Sequence, residues 1–103
     1  MFNIKITKIK KMEDKITKDK LKKYYKITST ALSKAKESIA KGKETDAKEI
    51  IEMVEAYLSD SKHFENKKHY VNSFACINYA HGWLDTGARL KIFNVKDNKL
   101  FTV

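Results

Sequence analysis

The sequence predicts an all-α protein, an up-down-up three-helix bundle with room for short β segments at the two termini. Two observations carry this: three stretches repeat apolar residues at spacings of three and four, and the connections between them are short, which makes neighbouring helices antiparallel. A chain of 103 residues supports one core and not two. Residues 1–103 are therefore read as a single domain. It comprises an N-terminal extension over 1–18, helices over 19–41, 45–64 and 69–90, and a C-terminal tail over 91–103.

In the first helix Leu21, Tyr24, Tyr25, Thr28, Ala31, Leu32, Ala35 and Ile39 share a face, with Lys22, Lys23, Lys26, Lys34 and Lys41 opposite. Gly42 is placed to close it in a left-handed cap. The second aligns Ala47, Ile50, Ile51, Val54, Tyr57, Leu58, Ser61 and Phe64 against Glu49, Glu52 and Asp60, with Thr45 as the expected N-cap and Asp46 near the positive end of the helix dipole. The polar run Glu65-Asn66-Lys67-Lys68 marks the next connection. In the third, Tyr70, Phe74, Ile77, His81, Leu84 and Ala88 form one stripe, with Asn78 and Asp85 along its edge. Cys76, Tyr79, Trp83 and Leu90 point the other way. A helix apolar on two faces needs cover on both, so this second face is read as an interaction surface, covered by the terminal segments or by a second chain. At the ends, Phe2, Ile4 and Ile6 alternate with polar residues as in a half-buried strand, and Val95 to Val103 is read as a hairpin around Asp97-Asn98. A helix from Lys8 onward is the alternative for the N-terminal segment.

Hydrophobic residues make up 42% and charged residues 34% of the chain, a globular balance. The longest uncharged stretch, Tyr70 to Leu84, is shorter than the ~18 apolar residues a membrane span needs. No signal-peptide-like apolar block opens the chain, and the single cysteine, Cys76, excludes an internal disulfide framework. A cytoplasmic location without membrane association is expected. The net charge of +9 is unevenly spread: residues 1–43 carry 14 Lys against four acids (+10), and residues 44–103 carry eight basic against nine acidic groups (−1). Lys18, Lys20, Lys22, Lys23 and Lys26 are thus a candidate polyanion surface. Ordinary solvated lysine is the competing reading, favoured because Arg89 is the only arginine, and arginine is the better bidentate phosphate group.

The third helix also carries the one constellation with chemical potential. His81, Asp85 and Arg89 follow at i, i+4 and i+8 beside Asn78. Asp85 is placed to orient His81, and Arg89 to hold an anion. The structural reading, which weighs more, makes His81 a hydrogen-bonded core residue and Asp85–Arg89 a helical ion pair. No metal site is expected, since His63 and His69 lack ligand spacing, and no cofactor is indicated. Cys76 has no CxxC partner and reads as an inert packed thiol. Gly82 and Gly87 each cost about 1 kcal/mol inside a helix, which implies close approach by something else.

The stretch from Asp60 to Phe93 resembles the archaeal family called domain of unknown function 357. The likeness is strongest at Tyr79-Ala80-His81-Gly82-Trp83-Leu84-Asp85 and continues to Gly87 and Arg89. The family's turn commonly carries Gly-Asp, where this chain has Lys68-His69. The resemblance implies a three-helix bundle and an archaeal source, and it brings no activity with it. The functional expectation is a non-enzymatic module for protein–protein interaction or self-association through the third helix. The alternatives are a nucleic-acid-associated protein using the Lys-rich half and, more remotely, a small-ligand binder or enzyme centred on His81, Asp85 and Arg89.

Overall fold

The computed structural model describes residues 14–102. The alternating segment Phe2 to Ile6 lies outside them. Thr17 caps the first helix, α1 (Lys18–Lys36), by accepting the Lys20 amide at 3.1 Å, and Asp19 adds an acid to its first turn. Leu21, Thr28, Ala31, Leu32 and Ala35 are buried. The helix stops five residues short of the expected end. Its continuation pairs with the tail instead: Asn94 donates its amide to Ser38 at 2.7 Å, Ala40 donates to Ile92 at 2.9 Å, and Ile39 bridges Phe93 antiparallel. Backbone groups that a longer helix would satisfy are satisfied there. Gly42 consequently does not cap α1. At φ +84° it forms the turn before α2, with its amide on the Glu44 carboxylate at 3.1 Å.

That contact also corrects the expected N-cap of α2 (Glu44–Asn66). Lys43, not Thr45, holds the position without a side-chain bond, because Glu44 reaches back to the preceding turn. Ala47, Ile50, Val54, Leu58 and Ser61 are buried. Lys68, at φ +62°, reverses the chain into α3 (Tyr70–Arg89).

The helix directions follow from cross-contacts. Tyr24 meets Phe74 edge-on with centroids 5.5 Å apart, and Thr28 bonds His81, so α1 and α3 run parallel. Lys36 pairs with Glu55 at 2.9 Å, and Lys62 lies 4.1 Å over the Tyr25 ring, so α2 runs against both. α3 packs extensively on α2 and also on α1, while α1 and α2 meet at few points. Small residues on both sides let α2 and α3 approach, and the Ser73 hydroxyl donates to the Ser61 carbonyl at 2.7 Å.

The tail is not a hairpin, and among the described residues the Ile39–Phe93 bridge is the sole β pairing. Asp97 explains this. Its Oδ1 accepts the Lys99 and Leu100 amides at 2.8 and 3.3 Å, supplying acceptors that a partner strand would otherwise provide. The resulting turn drives Phe101 into the core beside Ile92 and Phe93. Lys34 anchors Asp97 from α1 at 3.1 Å. Hydrogen bonds from the Lys99 amide and Lys34 hold the Asp97 carboxyl below its ordinary range. No helix among the described residues is long and apolar enough to cross a membrane.

Candidate functional site

The two sides of α3 have different work. Its buried side holds Ser73, Ile77, Ala80, His81, Leu84, Gly87 and Ala88, a stripe turned further toward α2 than the expected one; Tyr70 and Phe74 are only half-buried. His81 is fully buried. Its Nε2 lies 2.7 Å from the Leu100 carbonyl, which can only accept, so Nε2 carries the proton. Nδ1 is then an acceptor for the Thr28 hydroxyl at 2.9 Å. Burial lowers the His81 pKa; the Asp85 charge and the Leu100 hydrogen bond act the other way without reversing it. At neutral pH the ring is a neutral bridge from α1 through α3 to the tail.

Asp85 is 3.7 Å from His81 Nε2, too far for a hydrogen bond. Its carboxylate instead takes the Thr102 amide at 2.9 Å and hydroxyl at 3.3 Å. Arg89 is exposed and makes no ion pair with Asp85. The expected row of three is therefore not joined by hydrogen bonds or an ion pair, and tail contacts explain the change: Asp85 turns toward the Thr102 amide and hydroxyl, away from the solvated guanidinium. Sequence reading missed Thr28, Leu100 and Thr102. Thr28 did carry a signal, a hydroxyl within an apolar stripe, but its partner lies on another helix. Replacing Asp85 with alanine is expected to lower stability by about 1–2 kcal/mol. The loss should appear in thermal melts together with faster amide exchange at Thr102.

The outer side of α3 is open. Val71, Asn72, Ala75, Tyr79, Gly82 and Thr86 are exposed, and none is charged. Asn78, Tyr79, Gly82, Trp83 and Thr86 line a groove of about 460 Å³. Nothing lies within 4 Å of the place a Gly82 side chain would occupy, so this glycine makes a notch in the helix surface. Tyr79 meets Tyr57 of α2 at 4.5 Å and Trp83 edge-on at 6.3 Å. Tyr57 was missed as part of this surface because its own helix placed it with the core. Of the terminal cover expected here, the N-terminal segment lies outside the described residues; the described tail seats on the His81–Asp85 edge, Trp83 and Cys76 are half-buried, and Tyr79 and Leu90 are 51% and 63% exposed. Burial, with the nearby Asp60 charge, raises the Cys76 thiol pKa, which lowers the reactive thiolate fraction.

Of the lysines expected to meet a polyanion, Lys18, Lys22, Lys23 and Lys26 are exposed and Lys20 is half-buried. The helix directions bring Lys67 and Lys68 to the same end of the bundle. His63 and His69 are both exposed, with Phe64 between them.

Comparison with curated proteins and with solved structures returns no match. A family profile does match residues 23–93, which take in the three helices from Lys23 onward and the Phe93 contact. On that match the chain belongs to the family described as "Protein of unknown function (DUF357)".

Proposed function

We propose that the protein is a non-enzymatic interaction module of the cytoplasm, and that the outer side of α3 is its partner-binding surface. One observation carries the reading: in a chain that is 34% charged, the exposed residues of α3 from Val71 to Thr86 carry no charge and surround an open aromatic groove. Water-facing helix surface costs nothing to charge, as α1 and α2 show. An uncharged surface with an open aromatic groove is suited to being covered by a partner. His81 and Asp85 both hold the tail by hydrogen bonds, which supports a structural role for them. A photo-crosslinking residue at Thr86 should yield a discrete protein adduct in cells, whereas one at Thr30, an exposed threonine of α1, should not. Equal adducts at both positions, or none at Thr86, would refute the reading.

A second reading has one observation of its own, the convergence of Lys67 and Lys68 with the exposed lysines of α1. It makes the basic end a nucleic-acid contact. In that case Lys18, Lys22, Lys23 and Lys26 changed together to Glu abolish RNA and DNA binding with helicity intact, and native affinity falls steeply with salt. No binding at low ionic strength eliminates it.

A further inference from the structure

The three helices differ in charge as sharply as in burial. α1 carries seven Lys and one acid, α2 seven acids and two Lys, and α3 one of each sign. The acids of α2 fall into two sets. Glu52, Glu55 and Glu65 are paired with Lys48, Lys36 and Lys62, and Glu44 holds the Gly42 amide. Asp46, Glu49 and Asp60 are exposed and have no ion-pair partner among the described residues. On a helical projection these three lie within about 80° of Tyr57, on the side away from the core. Tyr57 is the residue that meets Tyr79 at the groove, and the charge of Asp60 is felt at Cys76 of α3. By azimuth the three acids thus lie on the α2 side of the uncharged groove, and Asp60 is tied to it through Cys76.

We propose that the occupant of the Trp83 groove is a basic amphipathic helix of a partner protein. Its apolar stripe lies over the Gly82 notch between Tyr79 and Trp83, and its Lys or Arg side chains reach Asp46, Glu49 and Asp60. Gly82 permits the close approach that a helix axis needs, since any side chain there would stand in the contact. Attraction along the acidic edge raises the association rate and rejects acidic helices. This inference rests on the partner-binding reading above and adds the partner's chemistry.

Trp83 is the only tryptophan, so its emission reports the groove directly. The full-length chain is titrated with an 18-residue Leu/Lys amphipathic peptide and with its Leu/Glu counterpart, and its mass is followed by light scattering. The expected result is a saturable blue shift with the Leu/Lys peptide at an affinity at least tenfold above that of the Leu/Glu peptide. The triple change Asp46→Asn, Glu49→Gln and Asp60→Asn should cost at least tenfold in affinity. Gly82→Leu should abolish the shift with the circular dichroism melt preserved. Equal affinity for the two peptides overturns the charge assignment and leaves partner binding standing. A blue shift that grows with protein concentration as the mass doubles makes a second copy the occupant. Emission already blue-shifted, shielded from acrylamide and unmoved by peptide at nanomolar concentration assigns the groove to residues 1–13 of the chain itself; either result overturns the proposal. An exposed Trp83 that responds to neither peptide nor concentration overturns both the proposal and the partner-binding reading.

Discussion

Replacing Phe93 with alanine is expected to lower stability by about 3–5 kcal/mol, a large share of what a domain of this size possesses. Phe93 is the meeting point of three segments. Its ring packs on Gly87 and its amide donates to the Gly87 carbonyl at 3.2 Å, while its backbone bridges Ile39 of the α1–α2 connection. A methyl at Gly87 would fall inside that ring, 2.6 Å from Cδ2, and 3.2 Å from Ile50 Cδ1. The ring is buried and cannot swing into solvent. Gly87→Ala should therefore cost about 1–3 kcal/mol despite alanine's better helix propensity. Five residues earlier the same change has the opposite sign: Gly82→Ala meets nothing and should stabilise by about 0.5–1 kcal/mol. Urea denaturation of the two alanine variants reads both signs, and loss of stability at Gly82 would show that something already occupies the notch.

The second large effect is at His81. His81→Leu leaves the Thr28 hydroxyl without its acceptor and the Leu100 carbonyl without its donor, both in or beside the core. At about 1–3 kcal/mol for each group left unsatisfied, a total loss of about 2–6 kcal/mol is expected, visible as a lower urea midpoint. The same residue sets a pH dependence. Because the folded pKa lies below the unfolded value of about 6.5, the unfolded chain binds the proton first as pH falls. Stability from the neutral ring is complete above pH 6.5, declines below it, and levels off once pH passes the folded pKa. Unfolding free energies measured from pH 7.5 down to 4.5 should show this decline in the native chain. The part due to His81 should be missing from His81→Leu, and an identical slope in both would place the titration elsewhere.

The helices were legible because each carries its own periodicity, and α3 was placed within one residue at each end. What the sequence left hidden depends on contacts between distant segments. Ser38 to Ala40 read as helix because nothing local announces that Ile92 and Asn94 will claim their backbone groups. Thr45 read as a cap because propensity ranks it above Glu44, yet Glu44 is the residue whose reach fits the Gly42 amide. Asp85 read as a partner for Arg89 since both lie on one helix, whereas Thr102 arrives from 17 residues away. A second apolar face of α3 was read from helical projection, through Cys76, Tyr79, Trp83 and Leu90. Its acidic border was not, because Asp46, Glu49 and Asp60 acquire their meaning only when Tyr57 is set against Tyr79.

His81 and Gly82 are neighbours in sequence and lie on opposite sides of the division that this account draws through α3. Melting temperature and adduct yield from the Thr86 crosslinker, measured on His81→Leu and Gly82→Lys, test that division directly. The account predicts a lower melting temperature for His81→Leu, and for Gly82→Lys an unchanged or higher melting temperature with the adduct lost. A Gly82→Lys chain that melts normally and still forms the adduct would contradict it.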